Sequence, residues 1–255
     1  MLLAIDIGNT NIVIGIFEDS ILKKQWRLSS TITRTADESW ILLKLLFEST
    51  PLSFDQIKGI AIASVVPGLT HVFTLMAKLN FGIEPIVVNH ELDLGINILY
   101  QTPDTVGADR LCNAIAGYSK FGGPLVIVDF GTATTLDVLT ETGDYLGGII
   151  APGLELTASV LHQRAAMLPR VALKFPPRII GNTTETSIQS GLMYGSIEMI
   201  DGMIRRIEAE LERPVIAIAT GGLAYAFSDQ SQRLTQIEPH LTLEGLRLIY
   251  ERARR

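Results

Sequence analysis

A single cysteine, Cys112, stands among 255 residues, so no disulfide can form within the chain and the fold must rest on its packed core. A lone cysteine of this kind reads as a small core residue rather than a nucleophile, and it suits a reducing compartment. Histidine is sparse too: His71, His90, His162 and His240 are scattered without metal-ligand spacing, which argues against a structural zinc site. Long apolar runs are missing, and no stretch approaches the roughly 18 residues that a membrane span needs. The N-terminus lacks a basic stretch and Asp6 interrupts its apolar run, so no signal peptide is expected. Basic clusters are absent from a chain of net charge −6. Grouped Lys and Arg are what neutralise a phosphate backbone, so a nucleic-acid partner is not expected. The only local basic excess, Glu251-Arg252-Ala253-Arg254-Arg255, reads as a solvated helix end. These absences together point to a soluble cytoplasmic protein.

What is present is a large apolar fraction, 47% against 19% charged, enough for a sizeable core and too much for long disorder. The chain also says nearly the same thing twice. Leu2-Leu3-Ala4-Ile5 runs into Asp6-Ile7-Gly8-Asn9-Thr10-Asn11, and Leu125-Val126-Ile127-Val128 runs into Asp129-Phe130-Gly131-Thr132-Ala133-Thr134-Thr135. Each is an apolar strand ending in an Asp, a tight turn of Gly and hydroxyl residues, and a returning strand. Gly8 and Gly131 let backbone N–H groups approach an anion closely, and the Thr hydroxyls add donors. The two Asp residues suit a hydrated cation. Taken singly, such a turn is more often structural; its repetition 123 positions later (Asp129 against Asp6) favours a shared purpose and two similar halves, 1–117 and 118–255.

The periodicity predicts strands over 11–17 and about 22–28, a helix over 37–49, a strand over 57–66, a helix over 69–81 and a short buried strand over 85–88. The first half thus reads β-β-β-α-β-α-β, antiparallel and then parallel. The second half repeats it, with strands over 125–128, 135–140 and 145–150, helix from 154 and over 186–212, a strand over 215–220 and a last helix over 243–252. The prediction is an α/β protein of two mixed five-stranded sheets flanked by helices, with a cleft between the halves. A third glycine turn, Thr220-Gly221-Gly222, reads either as a plain strand–helix connector or as bare backbone that leaves room for an adenine ring and ribose.

Between the hairpins lies Tyr100-Gln101-Thr102-Pro103-Asp104-Thr105-Val106-Gly107-Ala108-Asp109-Arg110. Asp109-Arg110 at a helix start is open to two readings. One is a helix cap with an ion pair. The other makes Asp109 a base and Arg110 a bidentate clamp for a carboxylate.

The paired hairpins and the Gly-Gly turn resemble the actin, hexokinase and heat-shock-70 ATPase superfamily, whose two halves are ribonuclease-H-like. Asp-Ile-Gly-Asn-Thr-Asn, Gly-Ala-Asp-Arg, Asp-Phe-Gly-Thr-Ala-Thr-Thr and Gly-Asn-Thr-Thr (Gly181 to Thr184), in that order, resemble type III pantothenate kinase over essentially the whole chain. That resemblance implies phosphorylation of pantothenate to 4'-phosphopantothenate by ATP, the first step of coenzyme A biosynthesis. It assigns ATP contacts to Asp6, Ile7, Gly8, Asn9, Thr10, Asn11, Ile12, Val13 and Thr132, with Asp6 near magnesium. Gly221 and Gly222 would receive adenosine, as the late Gly-Gly turn does across the superfamily. Asp129 would bind a monovalent cation, potassium or ammonium. Tyr100, Gly107, Ala108, Asp109, Arg110 and Thr184 would contact pantothenate, with Asp109 as proton acceptor. The family also implies a homodimer in which Thr184 can reach the substrate of the neighbouring subunit. By looser analogy His162 and Arg164 line the same pocket, but a surface helix face is the favoured reading of both. Three rivals remain: a non-catalytic nucleotide sensor, a nuclease using Asp6, Asp109 and Asp129, and a kinase or phosphatase for another small alcohol. Gly107-Ala108-Asp109-Arg110 counts against the sensor, and the lack of a basic groove counts against the nuclease.

Overall fold

In the computed structural model, which describes residues 1–254, the first apolar run forms β1 (Leu2–Ile7) and returns antiparallel as β2 (Asn11–Glu18). β3 (Ile21–Ser29) completes the meander. Arg255, the end of the basic stretch, lies outside the described residues. α1 (Ala36–Glu48) begins one residue earlier than the periodicity suggests, because Thr35 and Glu38 form a capping box. The Glu38 N–H donates to Thr35 Oγ1 at 3.2 Å and the Thr35 N–H to Glu38 Oε2 at 2.8 Å, satisfying backbone donors that the helix leaves open. β4 (Gly59–Ser64) lies parallel to β1, from Leu2 opposite Gly59 to Ile7 opposite Ser64. Pro67 then opens α2 (Pro67–Phe81), which ends at Gly82 with φ +64°, and β5 (Ile86–Val87) pairs parallel with β4. The sheet order is β3-β2-β1-β4-β5. Leu3, Ile5 and Ile7 face Leu43, Phe47, Leu69 and Phe73 in one buried cluster. Covered on both faces, β1 and β4 read as unbroken apolar runs rather than alternating ones.

The second sheet repeats the first. β6 (Leu125–Phe130), β7 (Ala133–Leu139) and β8 (Tyr145–Pro152) make an antiparallel meander, and β9 (Ile216–Gly221) and β10 (Gln236–Ile237) extend it in parallel, in the order β8-β7-β6-β9-β10. The two-residue β10 has no pattern of its own in the sequence. Five helices complete the fold: α3 (Ala108–Phe121), α4 (Leu154–Arg164), α5 (Thr184–Leu211), α6 (Ala224–Ser228) and α7 (Leu241–Arg252). Both expected mixed five-stranded sheets are present.

The chain divides into two compact units, Met1–Ala116 with Leu241–Arg255, and Gly117–His240. The first break falls one residue from the expected boundary of 117/118. The last helix is assigned differently: expected with the second half, α7 packs on β1, β2 and β4 of the first. Glycines make the fit possible. A Cβ at Gly245 would strike the Cys112 carbonyl, one at Gly59 would strike the Tyr250 ring, and one at Gly15 would meet Leu243 Cδ1 at 2.8 Å. Leu243, Leu246 and Ile249 of α7 are buried there.

Candidate active site

In the first unit the turn of residues 8–10 is closed by the Gly8 N–H, which donates to the Asn11 carbonyl at 3.0 Å. Asn9, Thr10 and Asn11 are exposed, whereas Ile7 and Ile12, paired across the strands, are fully buried in the core. Of the eight residues from Asp6 to Val13, Ile7 and Ile12 can therefore offer a ligand only their backbone. Asp6 alternates with Ile5 and Ile7 and so projects from the opposite face of the sheet.

That face carries α7, whose Gly245 packs against the Cys112 carbonyl of α3. Gly107 accepts the Leu111 N–H at 3.1 Å, so Asp109 lies one residue inside the helix rather than at its cap. Its Oδ1 accepts the Arg110 N–H at 2.8 Å. A Cβ at Gly107 would run into Asp109 Oδ1, so a larger residue there would have to displace that carboxyl. Burial pushes the Asp109 carboxyl above the ordinary carboxylate range; the Arg110 N–H and guanidinium pull the other way and do not offset it. Arg110 itself is buried, at 9% exposure. One turn along α3, the Cys112 thiol is pushed well up, first by burial and then by the negative charges of Asp6 and Asp109. Both carboxylates thus act on one buried sulfur, which places the end of β1 and the start of α3 in one neighbourhood. A carboxyl with a raised pKa at such a place is a candidate for proton transfer. Tyr100 is exposed and precedes the 3₁₀ turn Pro103–Thr105.

The second unit holds the other hairpin. The Gly131 N–H donates to the Ala133 carbonyl at 3.1 Å, the counterpart of the Gly8 closure. Asp129, the last residue but one of β6, lies opposite Thr135 of β7 and Thr220 of β9. The glycine turn touches it: a Cβ at Gly221, where φ is +92°, would lie 2.5 Å from Asp129 Oδ1 and 2.7 Å from Phe130 N. No side chain but hydrogen is accommodated there. Gly222 meets nothing within 4 Å, leaving open space over the turn. Thr184 opens α5, and with Gly181, Asn182 and Thr183 it lines an open hollow of about 710 Å³. Leu168, Ser187 and Ile188 complete the lining. His162 is exposed near the end of α4, its Nδ1 2.8 Å from the Leu168 carbonyl, and Arg164 is exposed beside it.

Two supports of the turns were missed in the sequence. Ser30 N–H donates to the Thr10 carbonyl at 2.9 Å, and Gly153 N–H donates to the Thr132 carbonyl at 3.2 Å. The Pro152-Gly153 pair was a visible signal; nothing local marks Ser30.

Two matching Asp-Gly hairpins on two mixed five-stranded sheets, with a glycine turn against the second Asp, are the features of the actin- and hexokinase-like fold class. Solved structures agree on the fold. A Baf family protein from Campylobacter jejuni matches with a TM-score of 0.60 at 20% identity, over 99% of this chain and 98% of that one. The activator of 2-hydroxyisocaproyl-CoA dehydratase from Clostridium difficile, solved with bound ADPNP, matches with a TM-score of 0.53 at 14% identity, over 99% and 95%. The family model for type III pantothenate kinase matches residues 2–206. Type III pantothenate kinases from Moorella thermoacetica (47% identity, 99% of each chain) and Anaeromyxobacter dehalogenans strain 2CP-C (46%, 100% of each) align end to end. The chain belongs to the type III pantothenate kinase family.

Proposed function

We propose that the protein transfers the γ-phosphoryl group of ATP to the primary hydroxyl of pantothenate, forming 4'-phosphopantothenate in coenzyme A biosynthesis in the cytoplasm. The observation that carries the reading is Asp109, a carboxyl with a raised pKa at a helix start beside the strand end that bears Asp6. Phosphoryl transfer asks for positioning and charge dispersal more than covalent chemistry. Backbone N–H groups of residues 9–11 and the region of Thr132 hold the phosphates, and Gly221-Gly222 receives adenosine. Asp109 orients the pantothenate hydroxyl and accepts its proton. Arg110 binds the pantothenate carboxylate as a planar fork, and Tyr100, Gly107, Ala108 and Thr184 complete the pocket.

Magnesium, when bound, neutralises phosphate charge. Because it keeps several waters and needs only one or two carboxylates besides phosphate oxygens, Asp6 alone fits it. Asp129 holds a monovalent cation, potassium or ammonium. The enzyme works as a homodimer. Ile150 of β8, Leu156 and Val160 of α4, and Met167, Ile179 and Ile180 beyond it leave large apolar side chains exposed, the kind of surface that a partner subunit covers. No helix among the described residues is long and apolar enough to cross a membrane.

A coupled ADP-release assay with MgATP and pantothenate, with and without potassium, tests the proposal. Release that requires pantothenate and rises with potassium is expected. Release indifferent to pantothenate refutes the acceptor, and no release in either salt refutes the kinase.

A further inference from the structure

We propose that Ser30 is a positioning residue for the first phosphate turn, acting by gripping both ends of residues 8–10 from behind. This rests on the reading that the turn holds ATP phosphates. Ser30 directly follows β3 and is partly buried. Its Oγ donates to the Gly8 carbonyl at 2.5 Å and its N–H to the Thr10 carbonyl at 2.9 Å.

The consequence follows from peptide geometry. In a trans peptide the C=O and the following N–H point in opposite directions. Fixing the Gly8 carbonyl toward Ser30 therefore turns the Asn9 N–H away from it. Fixing the Thr10 carbonyl on the β3 side turns the Asn11 N–H toward β1, across the turn. The Ser30 contacts thus set the directions of the two peptide donors, Asn9 N–H and Asn11 N–H, that flank Thr10. Gly8 has its N–H side fixed by the Asn11 carbonyl, but glycine's open ψ leaves its carbonyl plane free to rotate, so the hydroxyl tether removes disorder that a phosphate would otherwise have to remove on binding.

Ser30 is itself held in place. Arg34 Nη2 donates to the Ser29 carbonyl at 2.9 Å, and the Arg34 N–H to the Thr31 carbonyl at 3.0 Å.

The second unit makes half of the same device. Gly153 directly follows β8, as Ser30 follows β3, and its N–H takes the Thr132 carbonyl. No side chain can be added there, because a Cβ at Gly153 would meet the Gly131 carbonyl oxygen at 2.6 Å. The hydroxyl tether is thus particular to the first turn.

The test is calorimetric titration of wild-type, S30A and S30T proteins with MgATP and, separately, with adenosine. Adenosine has no phosphates, so it reports the nucleoside contacts alone. S30A should weaken MgATP about tenfold, as loss of one such hydrogen bond allows, with adenosine affinity unchanged. S30T, which keeps the hydroxyl, should bind MgATP within about threefold of wild type. Unchanged MgATP binding by S30A, equal losses for both ligands, or S30T as weak as S30A would each overturn the assignment. The contrast needs no acceptor, so it decides the role of Ser30 even if pantothenate proves not to be the substrate.

Discussion

Replacing Asp109 by Asn separates the chemistry assigned to that carboxyl from its place in the fold. The amide has almost the same shape, and its oxygen can still accept the Arg110 N–H that Asp109 Oδ1 accepts at 2.8 Å. What disappears is the charge, and with it the ability to take a proton. A positioned acid–base group contributes about 10²- to 10⁴-fold, so turnover should fall by that factor, equivalent to about 3–5 kcal/mol of transition-state stabilisation. Stability should move the other way. Burial raises the folded-state pKa of Asp109, so the folded chain holds its proton to higher pH than the unfolded one. Stability from this group is therefore greatest below the ordinary carboxylate pKa, and declines as pH rises toward the raised value. Wherever the carboxyl is ionised, the wild type bears a desolvated charge that the Asn variant lacks. The variant should melt no lower than wild type while turning over far more slowly. Steady-state kinetics and thermal melts on the same preparations measure both. The kcat profile of the wild type should also lose activity on the acid side above the normal Asp range. Turnover within threefold of wild type, or a clear drop in melting temperature, would refute the reasoning.

Other residues yield sharper yes-or-no outcomes. Arg110→Lys replaces a planar fork with a point charge, so the pantothenate KM should rise by more than tenfold while the ATP KM holds; movement of the ATP KM alone would assign the clamp to the wrong substrate. Gly221→Ala adds a Cβ at φ +92° against the Phe130 backbone, and should cost about 2–5 kcal/mol in urea unfolding. Gly222→Ala enters open space and should leave unfolding unchanged yet weaken adenosine binding; equal stability of the two variants would contradict the local geometry. Cys112 is fully buried and its thiol is pushed well up, so iodoacetamide at pH 8 should label it only in denaturant. Rapid labelling of the native enzyme would place the sulfur elsewhere.

Much of this protein could be read along the chain because its signals are local. Apolar runs closed by Asp-x-Gly marked the strand ends, and their repetition foretold two sheets of one design. Ser30 left no such mark, since its role depends on β3 ending beside a turn some twenty residues earlier. The same holds for Asp109: the sequence left it between a helix cap and a base. The structure puts it inside α3 and raises its pKa through burial that no local pattern encodes. The final helix shows the limit most plainly. Its apolar stripe announced an amphipathic helix and nothing about which sheet it would cover. Its placement on β1, β2 and β4 was decided by Gly245, Gly59 and Gly15 opening room for Cys112, Tyr250 and Leu243. By itself the sequence determined most of the elements and their order, because propensity and turn geometry act over a few residues. Tertiary packing decided which distant groups meet and how charged they are, because burial and steric fit are properties of residues far apart in the chain.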